Sequence, residues 1–139
     1  MRIRIGILAA GLLGLGAVPA AACSCRCADA ATLAREVPLF FRGTPVAEAV
    51  EGAKRRYVFE VSAVHKGTTA ARTVVGTPVH AAACGVRFPL NQEALVGAFP
   101  AEGEVHANQC TQFCIGQRRE ELERILARCA PGALCPPDS

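Results

Sequence analysis

The sequence predicts a mainly β protein: a small Greek-key barrel of five or six strands, followed by one C-terminal α-helix and stapled by disulfides. Three observations predict it. Short segments of alternating apolar and polar residues follow one another, punctuated by Gly, Pro and Asn. A single stretch near the end has helical periodicity instead. Eight cysteines are spread through only 139 residues, which is room for one domain.

Residues 1–22 read as a secretory leader and residues 23–139 as the domain. Met1 to Arg4 carry two arginines, Ile5 to Val18 form an apolar run of about 14 residues, and Ala20-Ala21-Ala22 offers small residues for cleavage. The run is shorter than the roughly 20 residues a spanning helix needs, so no transmembrane segment is expected. Export puts the protein in a secreted or periplasmic, oxidising setting, where cysteines pair as disulfides.

Within the domain, Asp29 to Arg35 suits a short helical turn stopped by Pro38. Leu39 to Val50 reads as a strand bent at Gly43 and Pro45. The clearest strand is Arg56 to Lys66, where Tyr57, Phe59, Val61 and Ala63 alternate with Val58, Glu60, Ser62 and Val64. Strands are also expected at Arg72 to His80, Val86 to Phe88, Ala94 to Phe99 and Val105 to Ala107, with Gly67, Asn91, Pro100 and Gly103 as breakers. Gln117 to Cys129 is the helix, with Leu122, Ile125, Leu126 and Cys129 on its buried face. Arg119 with Glu123 and Glu120 with Arg124 are opposite charges four apart on the other face.

Composition narrows the function. A hydrophobic fraction of 51% with a formal charge of +3 excludes a disordered or nucleic-acid-binding tail. No nucleophile-base arrangement, phosphate-binding glycine loop or paired catalytic carboxylate stands out, so an enzyme is not expected. His65, His80 and His106 lack a second ligand at metal spacing, so no metal or cofactor of its own is expected. Lys54-Arg55-Arg56 reads as a solvated hairpin turn, the alternative being contact with an acidic polysaccharide.

The landmarks, taken in order, resemble the tissue inhibitors of metalloproteinases and the wider netrin-like module, above all its short single-domain bacterial form. They are Cys23-Ser24-Cys25 directly after the leader, Phe40-Phe41-Arg42-Gly43-Thr44, and Tyr57 to Gly67 ending in His65-Lys66-Gly67. Ala83-Cys84-Gly85 before Ala94-Leu95-Val96, and Val105-His106-Ala107-Asn108-Gln109-Cys110, complete them. The resemblance implies the oligonucleotide/oligosaccharide-binding type of Greek-key barrel. It also implies the bridges Cys23 to Cys84, Cys25 to Cys110 and Cys27 to Cys129, leaving Cys114 with Cys135. Cys27 follows Cys25 much sooner than the third cysteine of the animal proteins, Cys114 is extra, and the animal C-terminal domain is missing.

The function the resemblance implies is inhibition of a zinc metalloendopeptidase. A catalytic zinc keeps one position for water, and the α-amino nitrogen and carbonyl oxygen of an N-terminal Cys23 would form a five-membered chelate ring there. Ser24 would sit at the mouth of the protease's specificity pocket, with Ala83, Gly85 and Val86 completing the edge. Three alternatives stand beside this reading: a non-inhibitory binding or structural module that meets cell-surface components of the envelope, a lipoprotein acylated at Cys23, and metal or copper handling by reduced thiols of the Cys23-Ser24-Cys25-Arg26-Cys27 cluster.

Overall fold

A computed structural model describes residues 23–129. The leader expected over residues 1–22, the helix stop at Ala130-Pro131-Gly132 and Cys135 lie outside the described residues.

Asp29 starts the first helix, α1 (Ala30–Glu36), because its carboxylate accepts the Thr32 N–H at 2.7 Å and satisfies one of the unpaired donors of the first turn. Five strands follow: β1 (Leu39–Glu51), β2 (Lys54–Lys66), β3 (Arg72–Pro78), β4 (Ala94–Ala101) and β5 (Glu104–His106). They close into a barrel in the order β1-β2-β3-β5-β4, antiparallel throughout except for the parallel β3–β5 pair. The bend expected in β1 is present as register shifts at Arg42/Gly43 and Pro45/Ala47. Closure leaves fewer open strand edges than a flat sheet would.

Alternation along the strands sorts the core into two parts. Leu39 and Phe41 of β1 face the barrel interior with Tyr57, Phe59, Val75, Val96 and Phe88. Phe40 of β1 and Leu95 of β4 face outward and pack under the helices with Leu33, Val37, Ile115, Leu122 and Leu126. Inside, Phe41, Tyr57, Phe59 and Phe88 meet edge to face, with ring centroids 5.1 to 6.3 Å apart, the arrangement the ring quadrupole favours.

Two expectations need correction. Val86 to Phe88 is not a strand, so the barrel has five strands: the segment runs beside Thr77 and Tyr57, which bond its N–H groups through side chains rather than through a ladder. The helix expected over Gln117 to Cys129 is α3 (Arg119–Leu126), and an unexpected helix, α2 (Gln109–Gln117), precedes it, with a break between them at Arg118, where φ is −116° and ψ 13°. Asn108 caps α2 by accepting the Thr111 N–H at 2.8 Å. The break turns α3 onto α1, and the expected buried face is in place, with Leu122, Leu126 and Cys129 buried. Both expected charge pairs form, Arg119 with Glu123 and Arg124 with Glu120.

Helix α2 lies close against β4 at Gly97. A Cβ there would come within 2.8 Å of Ile115 Cδ1 and 2.9 Å of Thr111 Cγ2. The gap a side chain would fill carries a hydrogen-bonded clasp: Gly97 N–H donates to the Gln112 side-chain oxygen at 2.9 Å, and Gln112 Nε2 donates to the Leu95 carbonyl at 3.0 Å. This clasp fixes the helix that holds the N-terminal segment.

Among the described residues no helix is long and apolar enough to cross a membrane.

Candidate functional site

Residues 23–28 form neither helix nor strand, so their placement depends on covalent ties. Cys23 is bonded to Cys84, Cys25 to Cys110 and Cys27 to Cys114. The first two are the pairs the resemblance implied. The third corrects it: Cys27 does not join Cys129, and Cys114 does not join Cys135. Cys129 is itself disulfide-bonded. Bridges of this kind are typical of proteins outside the reducing cytoplasm.

The physical reason for the third pair lies in matched spacing. Cys25 and Cys27 stand two residues apart in a non-helical segment, and two residues of extended chain advance about 6.6 Å. Cys110 and Cys114 stand four apart on α2, one face of the helix, which advances about 6 Å. The segment thus lies along α2 and is riveted to it twice. Cys129 lies beyond the break at Arg118 and past the end of α3. The Cys-x-Cys-x-Cys and Cys-x-x-x-Cys spacings were the sequence signal for this pairing, legible only once Gln109–Gln117 is known to be helical.

The third rivet, at Cys84, sits after a 3-10 turn at Ala81–Ala83. Cys84 has φ +65°, a left-handed conformation that costs a side-chain-bearing residue some energy, and the Cys84 and Gly85 N–H groups close the turn onto the Ala81 and His80 carbonyls. Gly85 is required, because a Cβ there would run into the Pro78 carbonyl oxygen and lie 3.0 Å from that of His80. The Cys84 carbonyl accepts the Gln109 N–H at 2.8 Å, joining this turn to the start of α2. As a result the Cys23 and Cys110 sulfurs touch at 3.5 Å.

Of the expected rim, Ser24 and Ala83 are exposed and Gly85 is half-buried, all beside the Cys23–Cys84 bridge. Val86 departs from the expectation. Its side chain is 9% exposed and belongs to the barrel interior, and its N–H donates to Thr77 Oγ1 at 3.0 Å, so it underpins the rim rather than facing a partner. The Cys23, Cys84 and Cys110 sulfurs lie within 4.8 Å of one another. All three are in disulfides, which leaves no thiolate for a metal.

The charged features are absorbed by the fold. Lys54-Arg55-Arg56 is not a solvated turn, because the acids of neighbouring strands reach it: Lys54 and Arg56 pair with Glu104, Arg55 with Glu48 and Arg56 also with Glu51. Arg55 is buried. The three histidines are on separate elements. His106 approaches Glu104 at 3.5 Å and His80 precedes the 3-10 turn.

His65, on β2, has a buried Nε2 with no hydrogen-bond partner among the described residues. Burial holds its pKa below the ordinary histidine value, reinforced by Arg42 and opposed by Glu123. Arg42 in turn bonds Glu123 at 2.8 Å and Glu93 at 3.5 Å, and it holds the Glu123 carboxyl below its usual range. A histidine whose folded pKa is depressed makes the unfolded state bind more protons as pH falls through about 6.5, so acid destabilises the fold in that window. The expected result is a urea midpoint that drops between pH 7.5 and 5.5, and a flat profile over the same range for His65→Leu. A parent profile that is flat as well would remove His65 from the account.

Compared with family models and with curated protein sequences, the chain matches none.

Proposed function

We propose that the protein is a secreted inhibitor of zinc metalloendopeptidases that acts through the backbone of Cys23 once the leader is removed. On this reading the chain is a ligand and not a catalyst. The observation that carries it is the set of three bridges within five residues: Cys23, Cys25 and Cys27 are each fixed to the folded body.

A chain terminus ordinarily frays. One held at residues 1, 3 and 5 of the processed chain has little freedom left to lose on binding, so more of the metal-ligand energy appears as affinity. The α-amino group, with a pKa of about 7.7 to 8.0, has an accessible neutral form near physiological pH, and coordination to zinc favours deprotonation further. Nitrogen and carbonyl oxygen on one residue then occupy the position of the catalytic water. Exposed Ser24 enters the adjoining pocket, where its small side chain hydrogen-bonds but fills little space, and Ala83 and Gly85 border it.

The sulfur that an acyl anchor would use is committed to Cys84, which favours the inhibitor reading over the lipoprotein one. A non-inhibitory envelope module with the same barrel is the competing reading, and one experiment separates them. The oxidised protein beginning at Cys23 is assayed against a panel of purified zinc metalloendopeptidases, beside a variant with one alanine placed ahead of Cys23. Inhibition weakened at least about 100-fold by the extension, with disulfide map and circular dichroism unchanged, is the expected outcome, since the added residue moves the amine off the metal. Equal inhibition by both forms, or none by either, overturns the proposal.

A further inference from the structure

Gly85–Pro89 has the character of a strand without a strand's partner. It contains no turn or bend, and its burial alternates, with Val86 and Phe88 buried and Arg87 and Pro89 exposed. The N–H groups of Val86 and Phe88 are taken by Thr77 Oγ1 at 3.0 Å and by the Tyr57 hydroxyl at 3.2 Å. Among the described residues the N–H and C=O of Arg87 make no hydrogen bond. In an extended chain those two groups share an edge opposite to that of the flanking residues.

Beside this segment, between it and α2, lies a groove of about 470 Å³ lined by Val79, Gly85, Arg87, Gln109 and Phe113. Phe113 is a large apolar side chain, 52% exposed on α2. Arg87 is exposed and has no ion pair among the described residues, whereas the cations of β1 and of the β1–β2 hairpin are paired with glutamates.

We infer that this edge and groove dock an extended, acidic segment of another protein by strand addition. Each observation specifies part of the occupant. Unpaired backbone donor and acceptor on one edge call for an extended chain. An unpaired guanidinium calls for a carboxylate opposite. Phe113 and Val79 call for an apolar side chain next to it. A second copy of this chain is a poor fit, because a two-fold antiparallel pairing centred on this segment sets Arg87 against Arg87. The site uses neither the amine nor the carbonyl of Cys23, so it stands whether or not the protein inhibits a protease.

The test uses the oxidised, isotope-labelled protein and a capped pentapeptide, Glu-Val-Glu-Val-Glu. Its lysine counterpart and a backbone N-methylated version serve as comparisons. The acidic peptide is expected to shift the Arg87 and Phe113 amide signals and slow hydrogen exchange at Arg87. The lysine and N-methylated peptides bind about fivefold more weakly or worse. Arg87→Glu reverses the preference between acidic and basic peptides, and Phe113→Ser weakens both. The inference is overturned if millimolar acidic peptide leaves the Arg87 amide unmoved, or if the N-methylated peptide binds equally well. Protection of that amide by concentration-dependent dimerisation, without peptide, overturns it too.

Discussion

Replacing Cys23 and Cys84 together by alanine is expected to lower the unfolding free energy by about 4 kcal/mol and to abolish inhibition while the other bridges remain. The bridge closes a loop of 61 residues, and cross-links of that span stabilise chiefly by restricting the unfolded chain, typically by 2–5 kcal/mol. The functional loss has a separate cause. Without the first rivet, the two residues ahead of Cys25 regain the freedom of an ordinary terminus, and the chelating pair of atoms is no longer preorganised. Urea unfolding gives the stability, and the protease panel gives the inhibition. A double variant that keeps its inhibitory constant would show that Cys25 and Cys27 suffice to position the terminus.

Lys66→Met is the second large effect. Lys66 ends β2, is 7% exposed, and aims its ammonium group at the C-terminal end of α1. Nζ donates to the carbonyls of Ala34, Arg35 and Val37 at 2.8, 2.9 and 2.8 Å, which uses all three of its protons. Burial pushes its pKa below the usual lysine value, yet the group also answers two needs at once. It satisfies carbonyls that a helix end leaves without partners, and it places a positive charge at the negative end of the helix dipole. Methionine keeps the apolar stem and removes the donors, so buried carbonyls lose their partners at a cost of about 3 kcal/mol. Faster hydrogen exchange in α1 should accompany the shift in urea midpoint. A loss below about 0.5 kcal/mol would mean that water replaces the ammonium group without penalty.

The same lysine marks where sequence reading stops. Lys66-Gly67 reads as the end of a strand, and it is one: Gly67 has φ +76°, and a Cβ there would lie 2.7 Å from the Pro38 carbonyl. Nothing in a Lys-Gly pair says that the ammonium caps a helix more than 25 residues earlier in the chain. Arg42 is similar, since its partners Glu93 and Glu123 come from a loop and from α3. Helix α2 escaped because its capping signal, Asn108, opens a segment that ends in Gly116 and shows little apolar periodicity; its helicity rests on docking at Gly97 and on two disulfides. The strand expected at Val86 to Phe88 was a correct reading of alternation and an incorrect reading of pairing, because a period of two reports one buried face and is silent about which backbone lies alongside.

Local chemistry therefore determined the elements of this protein: the Asp29 cap, the alternation of β2, the bend of β1 at Gly43 and Pro45, and the buried face of α3 are each set by neighbours a few residues away. Tertiary structure decided which distant groups meet. Cys27 pairs with Cys114 because an extended segment and a helix face advance by nearly the same distance per cysteine. Val86 turns inward because Thr77 and the barrel interior claim it, and the basic run at residues 54–56 is neutralised because β1 and β5 bring glutamates across. Such outcomes depend on which distant segments the folded chain lays side by side, and a residue's near neighbours in sequence do not specify that.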